Sequence, residues 1–202
     1  MSIAVEGLIG AGKSTALRAI RRLVTDVQVF EEPVETWTEV LDNFYKKPRE
    51  YSFLFGVTVL LGFAKKAALK PPVVIERSPA TCRYVFNQTL FNDDLLSAAE
   101  WELFKDLYDS LKMFQPTHIV YIEAPVEVCM ERIKNRGREC EKTVSADYLR
   151  KLEYQYELML RYASVPVIRI DGTASQHEIE IKVAEAVRSI LSTSESLGSA
   201  SV

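Results

Sequence analysis

Gly7-Leu8-Ile9-Gly10-Ala11-Gly12-Lys13-Ser14-Thr15 fits the pattern G-x-x-x-x-G-K-[ST], and its surroundings decide the fold. Backbone N–H groups of such a loop, together with the start of the helix behind it, cradle phosphates. The lysine reaches the β- and γ-phosphates and the first hydroxyl binds Mg²⁺. The pattern needs a strand before it and a helix after it. Ser2-Ile3-Ala4-Val5-Glu6 reads as a short buried strand, and from Lys13 to Val24 the apolar residues Ala16, Leu17, Ile20, Leu23 and Val24 recur at helical spacing. The chain is therefore expected to bind a nucleoside triphosphate through residues 7–15, with Ser14 on the metal.

Working outward, four more strand candidates follow: Val27 to Phe30, Pro72 to Glu76, His118 to Glu123 and Val165 to Ile170. Each is short and β-branched, and helix-patterned sequence separates it from the next. Helices are expected at 13–24, 48–69, 79–90, 95–114, 125–135, 145–163 and 175–191, with Pro48, Pro79 and Pro125 near first turns, where a missing N–H costs nothing. This alternation predicts an α/β fold with a five-stranded parallel sheet flanked by helices. Residues 1–191 read as one domain, and the Ser-rich stretch 192–202 as a disordered tail.

Composition narrows the function classes. With 202 residues, 48% of them hydrophobic, the chain can bury a substantial core, and a net charge of −3 argues against a nucleic-acid or anionic-membrane coat. Phe53 to Ala64 is the strongest apolar stretch, too short to span a bilayer. Cys82, Cys129 and Cys140 are odd in number and lack metal-site spacing, which suggests reduced thiols. The first strand begins at residue 2, leaving no room for a targeting segment, so a cytoplasmic setting is expected.

Ligands of an open α/β sheet gather at the carboxyl ends of the strands. There the sequence sets Glu31-Glu32-Pro33 after strand two, Glu76-Arg77-Ser78 after strand three, and Arg132, Arg136 and Arg138 around the end of the helix after strand four. The tetrapeptide Asn-Lys-x-Asp of guanine-reading switches is absent, and the chain is short for a motor ATPase. A small-molecule kinase remains, which needs a base, cations, a metal ligand and an acceptor pocket. Glu31 or Glu32 is the candidate base. Arg77 is placed to neutralise transferring charge and Glu76 to contact Mg²⁺, while the three lid arginines would close over the phosphates. Against this, Glu76-Arg77 also reads as a surface ion pair, and the arginines as charge on a helix end. Trp37, Tyr45, Phe55 and Phe86 would make a flat slot for a nucleobase if they converge.

These segments together resemble the deoxyribonucleoside kinase family. The shared motifs are Glu-Gly-x-Ile-Gly-Ala-Gly-Lys-Ser-Thr at the loop, Glu32-Pro33-Val34-x-x-Trp37, Tyr45-Lys46-x-Pro48, Ser52-Phe53-x-Phe55, Glu76-Arg77-Ser78, Arg83-Tyr84-x-Phe86 and Arg136-Gly137-Arg138, in order between Ile3 and about Asp171. The resemblance implies a P-loop kinase fold with an Arg-rich lid and ATP-dependent 5′-phosphorylation of deoxyribonucleosides for salvage and DNA-precursor synthesis. Mg²⁺ is implied as cofactor and a homodimer as assembly. It implies Glu32 as base, with Glu76 on the metal and the swap of those roles left open. Arg77 bridges the 5′-oxygen and phosphates, Tyr45 and Glu141 hold the 3′-hydroxyl, and Trp37, Phe55 and Phe86 line the base, with Cys82 beside them. The sequence departs from the family where a base-reading Gln is common, for Gly56 stands there, and Gln returned to that position is expected to sharpen base choice. Cys82 and Phe63 replace the charged pair of deoxycytidine and deoxyguanosine kinases, so the pocket resembles the thymidine-accepting branch. Thymidylate kinase and a non-catalytic nucleotide-binding module are the competing readings.

Overall fold

A computed structural model of the chain describes residues 1–198, apart from the side chains of residues 34, 35, 140 and 194–198. Its centre is a five-stranded sheet of β1 (Ser2–Glu6), β2 (Gln28–Phe30), β3 (Val73–Glu76), β4 (His118–Glu123) and β5 (Val167–Asp171), in the order β2-β3-β1-β4-β5 with every pairing parallel. These strands fall within a residue or two of the five apolar runs. All five residues of β1 are buried, as a central parallel strand covered on both faces should be. The strand order reverses direction at β1, so the loop after β1 opens into the crevice at this switch point.

Helices cover both faces: α1 (Lys13–Leu23), α2 (Thr38–Lys46), α3 (Pro48–Lys65), α4 (Gln88–Asn92), α5 (Ala98–Ser110), α6 (Val126–Arg136), α7 (Ala146–Arg161) and α8 (Gln176–Gly198). One buried cluster joins Leu17 and Ile20 of α1 to Leu149 and Leu152 of α7 and to Val183 and Val187 of α8. On the opposite side Leu60 and Phe63 of α3 pack with Trp101 and Phe104 of α5. Phe63 is thus core, and the site lies between the two clusters at the sheet's carboxyl edge.

Three local differences from the sequence reading matter. The segment before α3 holds a 3₁₀ turn at Val34–Trp37 and then α2, whose polar surface hides a helix that buries only Phe44. Residues 79–90, expected as a plain helix, contain a widened π turn at Thr81–Asn87. The Asn87 side-chain amide donates to Cys82 O within this turn, at 2.8 Å, and helps to hold its width. Finally, α8 continues to Gly198, where an unordered tail was expected from Ser192. Once Ile179, Val183, Val187 and Ile190 anchor a helix on the core, adding residues costs little. Residues 199–202 of that expected tail lie outside the described residues.

The loop after β1 is fixed by close backbone packing. Gly10 has φ +85°, and a β-carbon there would lie 2.5 Å from the carbonyl oxygen of Cys129 on α6. Gly10→Ala is expected to destabilise the fold by roughly 1–3 kcal/mol through left-handed strain and overlap with backbone that cannot move aside. Urea unfolding of the two proteins checks this.

Candidate active site

A cleft of about 1040 Å³ opens at the carboxyl ends of β1, β2 and β3. This is the upper end of the range usual for a ligand cleft. Its lining includes Ile9, Gly10, Gly12, Lys13, Ser14 and Thr15 of the loop after β1, with Arg132, Arg136 and Arg138. It also includes Glu32, Trp37, Tyr45, Phe55, Cys82 and Phe86, and Glu76, Arg77 and Glu141 also face the cavity. The residues singled out in the sequence therefore converge on one place. Gly7, Leu8 and Ala11 contribute backbone rather than lining, since the Leu8 and Ala11 side chains are buried in the core.

The loop is built to receive an anion. Gly12 caps α1 with no side-chain hydrogen bond, and the first turn of α1 holds no acidic residue, so its N–H groups are left for a ligand. Lys13 is 5% exposed and its ammonium donates to Gly7 O at 3.1 Å and Leu8 O at 2.8 Å. Burial, helped by the charge of Arg77, pulls its pKa down to about 8. Ser14 Oγ lies 3.1 Å from Glu76 Oε1, and the Glu32 N–H donates to Glu76 Oε2 at 3.3 Å. One hydroxyl and one carboxylate side by side suit Mg²⁺, which takes one or two protein oxygens and completes its shell with water and phosphate. Among the described residues no group of three His, Cys, Asp or Glu offers a fuller metal cage.

Arg77 sits at the centre. It adopts φ +63°, a costly conformation for a non-glycine residue. Its Nε donates to Glu32 Oε2 at 3.2 Å, and its Nη1 to Gly7 O at 3.1 Å and to the Tyr156 hydroxyl at 2.5 Å. Tyr156 in turn donates to buried Glu6, which also accepts from Thr81. The guanidinium lies 4.6 Å from the centre of the Phe86 ring. Glu76 and Arg77 are each 6% exposed and have other partners, so the surface ion-pair reading of this dipeptide fails. The two neighbouring carboxylates take different partners. Glu31 pairs with Arg21 of α1, while Glu32 pairs with Arg77 inside the cleft. Burial raises the Glu32 pKa, with Glu76 adding to the effect and Arg77 opposing it.

The aromatic residues gather but are already partly engaged. Phe55 stacks on Phe44 at 5.2 Å and meets the edge of Trp37 at 6.4 Å. Tyr45 packs against Phe44, and α2 runs beside the turn at Glu139–Glu141. Of the three arginines, Arg132 donates to Ala11 O at 3.2 Å and so faces the loop. Arg136 grips Glu141 with two nitrogens, Nε at 3.0 Å from Oε2 and Nη2 at 2.7 Å from Oε1 and 2.6 Å from Oε2, and Arg138 approaches the same carboxylate at 3.5 Å. Glu141 is therefore held by the arginines here. Tyr156, Glu6 and Asn87 escaped the sequence reading, because each looks like core in its own element.

Gly56 is where structure changes an expectation most. A β-carbon on Gly56 would lie 2.2 Å from Asn87 Oδ1 and 3.0 Å from Asn87 Cγ. A glutamine at this position cannot simply add a base contact, because Asn87 occupies the space. Gly56→Gln is expected to lower stability by about 1–3 kcal/mol, the usual range for overpacking, with the loss relieved when Asn87 is also changed to Ala. Urea midpoints of the two singles and the double measure the coupling.

The chain matches the family model described as deoxynucleoside kinase over residues 3–192. It is 28% identical to deoxycytidine kinase of Rattus norvegicus over 236 residues, covering 95% of this chain and 91% of that protein. It is 32% identical to "Putative kinase protein 143R" of Invertebrate iridescent virus 6 over 195 residues, covering 94% of this chain and 98% of that one. A third relative, "Putative kinase protein 029R" of Invertebrate iridescent virus 3, is 35% identical over 159 residues, or 77% of this chain and 80% of the other.

Proposed function

We propose that this chain, which belongs to the deoxynucleoside kinase family, phosphorylates pyrimidine deoxyribonucleosides at the 5′-hydroxyl, thymidine foremost. It is a kinase that acts on a nucleoside with a nucleotide phosphate donor. ATP with Mg²⁺ is the donor proposed here, supplying the phosphoryl group and neutralising charge on it. The observation that carries the reading is the Glu32–Arg77 pair, largely withdrawn from water in a cleft lined by both the loop after β1 and the aromatic residues.

Residues 7–15 hold the donor phosphates through backbone N–H groups and Lys13, with Ser14 and Glu76 on the metal. Glu32 accepts the proton of the 5′-hydroxyl as that oxygen attacks phosphorus. Its ion pair with Arg77 aims the carboxylate, and the guanidinium balances the charge passing between acceptor and phosphate. Trp37, Phe55 and Phe86 flank the base beside Cys82, and Tyr45 with Glu141 holds the 3′-hydroxyl. Arg132 is already on the loop, while Arg136 and Arg138 form the lid once they exchange Glu141 for phosphate.

Thymidine is favoured because Cys82 and Phe63 put two uncharged, buried side chains in this half of the protein. The relatives named deoxycytidine kinase support deoxycytidine as the second reading. Cytoplasmic location remains part of the proposal. So does a homodimer through α3 and α5, which present Leu54, Leu61 and Leu103 about half exposed; sedimentation at micromolar concentration tests that assembly.

Glu32→Gln is expected to lower kcat by roughly two to four orders of magnitude while ATP binding persists. Near-normal turnover would move the base to Glu76. The base works only when ionised, and burial raises its pKa above the ordinary 4.5 of a glutamate. Activity of the unaltered protein is thus expected to fall as pH drops through that raised value, and the acid limb of kcat/KM should vanish in the glutamine variant.

A further inference from the structure

Asn87 is among the residues that line the cleft, and its Oδ1 is buried with no hydrogen-bond partner among the described residues. Asn87 is 2% exposed and closes the π turn that also carries Cys82 and Phe86. Its orientation is fixed by chemistry. Nδ2 donates to Cys82 O at 2.8 Å and lies 3.5 Å from Cys82 Sγ, so a flipped amide would set two oxygens against each other. The oxygen must therefore point the other way, towards Gly56. Gly56 sets no side chain over it, and any β-carbon there would collide with it at 2.2 Å. A buried acceptor without a donor is uncommon enough to need a reason, and here it belongs to a residue that lines the cleft together with Phe55, Phe86 and Trp37.

We propose that Asn87 is the residue that selects the base, its Oδ1 accepting the ring N3–H of thymine or uracil, and that Gly56 is bare so that this oxygen can serve. The inference rests on the nucleoside-kinase reading and deepens it. With Nδ2 engaged by the backbone, the side chain offers an acceptor and no donor. A thymine ring presents N–H at its centre. Cytosine presents a bare N3 lone pair at the same place, which would face the oxygen without a proton between them. Sites that lose a buried hydrogen bond discriminate strongly, because the polar group is left unpaired.

The experiment measures kcat/KM for thymidine, N3-methylthymidine and deoxycytidine with the full chain, Asn87→Leu and Asn87→Ala, alongside ATP affinity and thermal melting. The unaltered protein is expected to prefer thymidine over the other two by about 10- to 100-fold. Leucine keeps the volume and removes the acceptor, so the preference over deoxycytidine should collapse to within a few-fold while ATP affinity holds. Alanine adds room as well and should admit N3-methylthymidine. Should leucine not fold, the alanine variant carries the same test of ranking. A ranking that both variants leave unmoved, or an unaltered protein that prefers deoxycytidine, overturns the role of Asn87 and leaves the kinase reading standing. Phosphorylation of no nucleoside at all overturns both.

Discussion

Arg77 is the constraint on which the rest of the site depends. Its backbone sits in the left-handed region directly after β3, and its side chain meets the phosphate loop, the carboxylate after β2 and the hydroxyl of Tyr156 on α7. Four segments distant in sequence are thereby tied to one planar group whose donors have fixed directions. A lysine has no such fork, and its single nitrogen could not span partners that lie in these different directions. Strain in the Arg77 backbone is tolerable because so many contacts over-determine its place.

Charge around this point alternates over a short distance. Glu6, Lys13, Glu32, Glu76 and Arg77 are all largely withdrawn from water, which costs free energy unless each charge finds a partner. Opposite charges hold the ionised forms in place, yet burial still raises the carboxyls of Glu6 and Glu32 and lowers Lys13. The result is a carboxylate readier to take a proton than a surface glutamate is. This is the property that general-base chemistry needs near neutral pH.

Much of this was legible in the sequence. Five β-branched runs fixed the parallel sheet, and the nine residues from Gly7 fixed where a phosphate would lie. What stayed hidden was hidden for physical reasons. α2 buries one side chain, so its apolar pattern is too thin to declare a helix. A π turn has the same composition as an α-helix, and the difference lies in its backbone hydrogen bonds, such as that from Gln88 N–H to Arg83 O. Glu31 and Glu32 are neighbours of the same type, and only the opposite directions taken by successive side chains at a strand end separate them. Gly56 reads as a lost contact until its neighbour from a segment thirty residues away is seen to fill the gap.

The ammonium of Lys13 has a further consequence. Because it already binds two carbonyls of its own loop, those oxygens act as internal competitors for any incoming anion. Exchanging two charge-assisted bonds costs on the order of a few kcal/mol before any gain is made. A lone inorganic phosphate or sulfate, with few other points of attachment, recovers little of that. A polyphosphate chain that also engages the helix start and a divalent ion recovers it several times over. The loop thus sets a threshold of valency, which favours nucleotides over smaller anions.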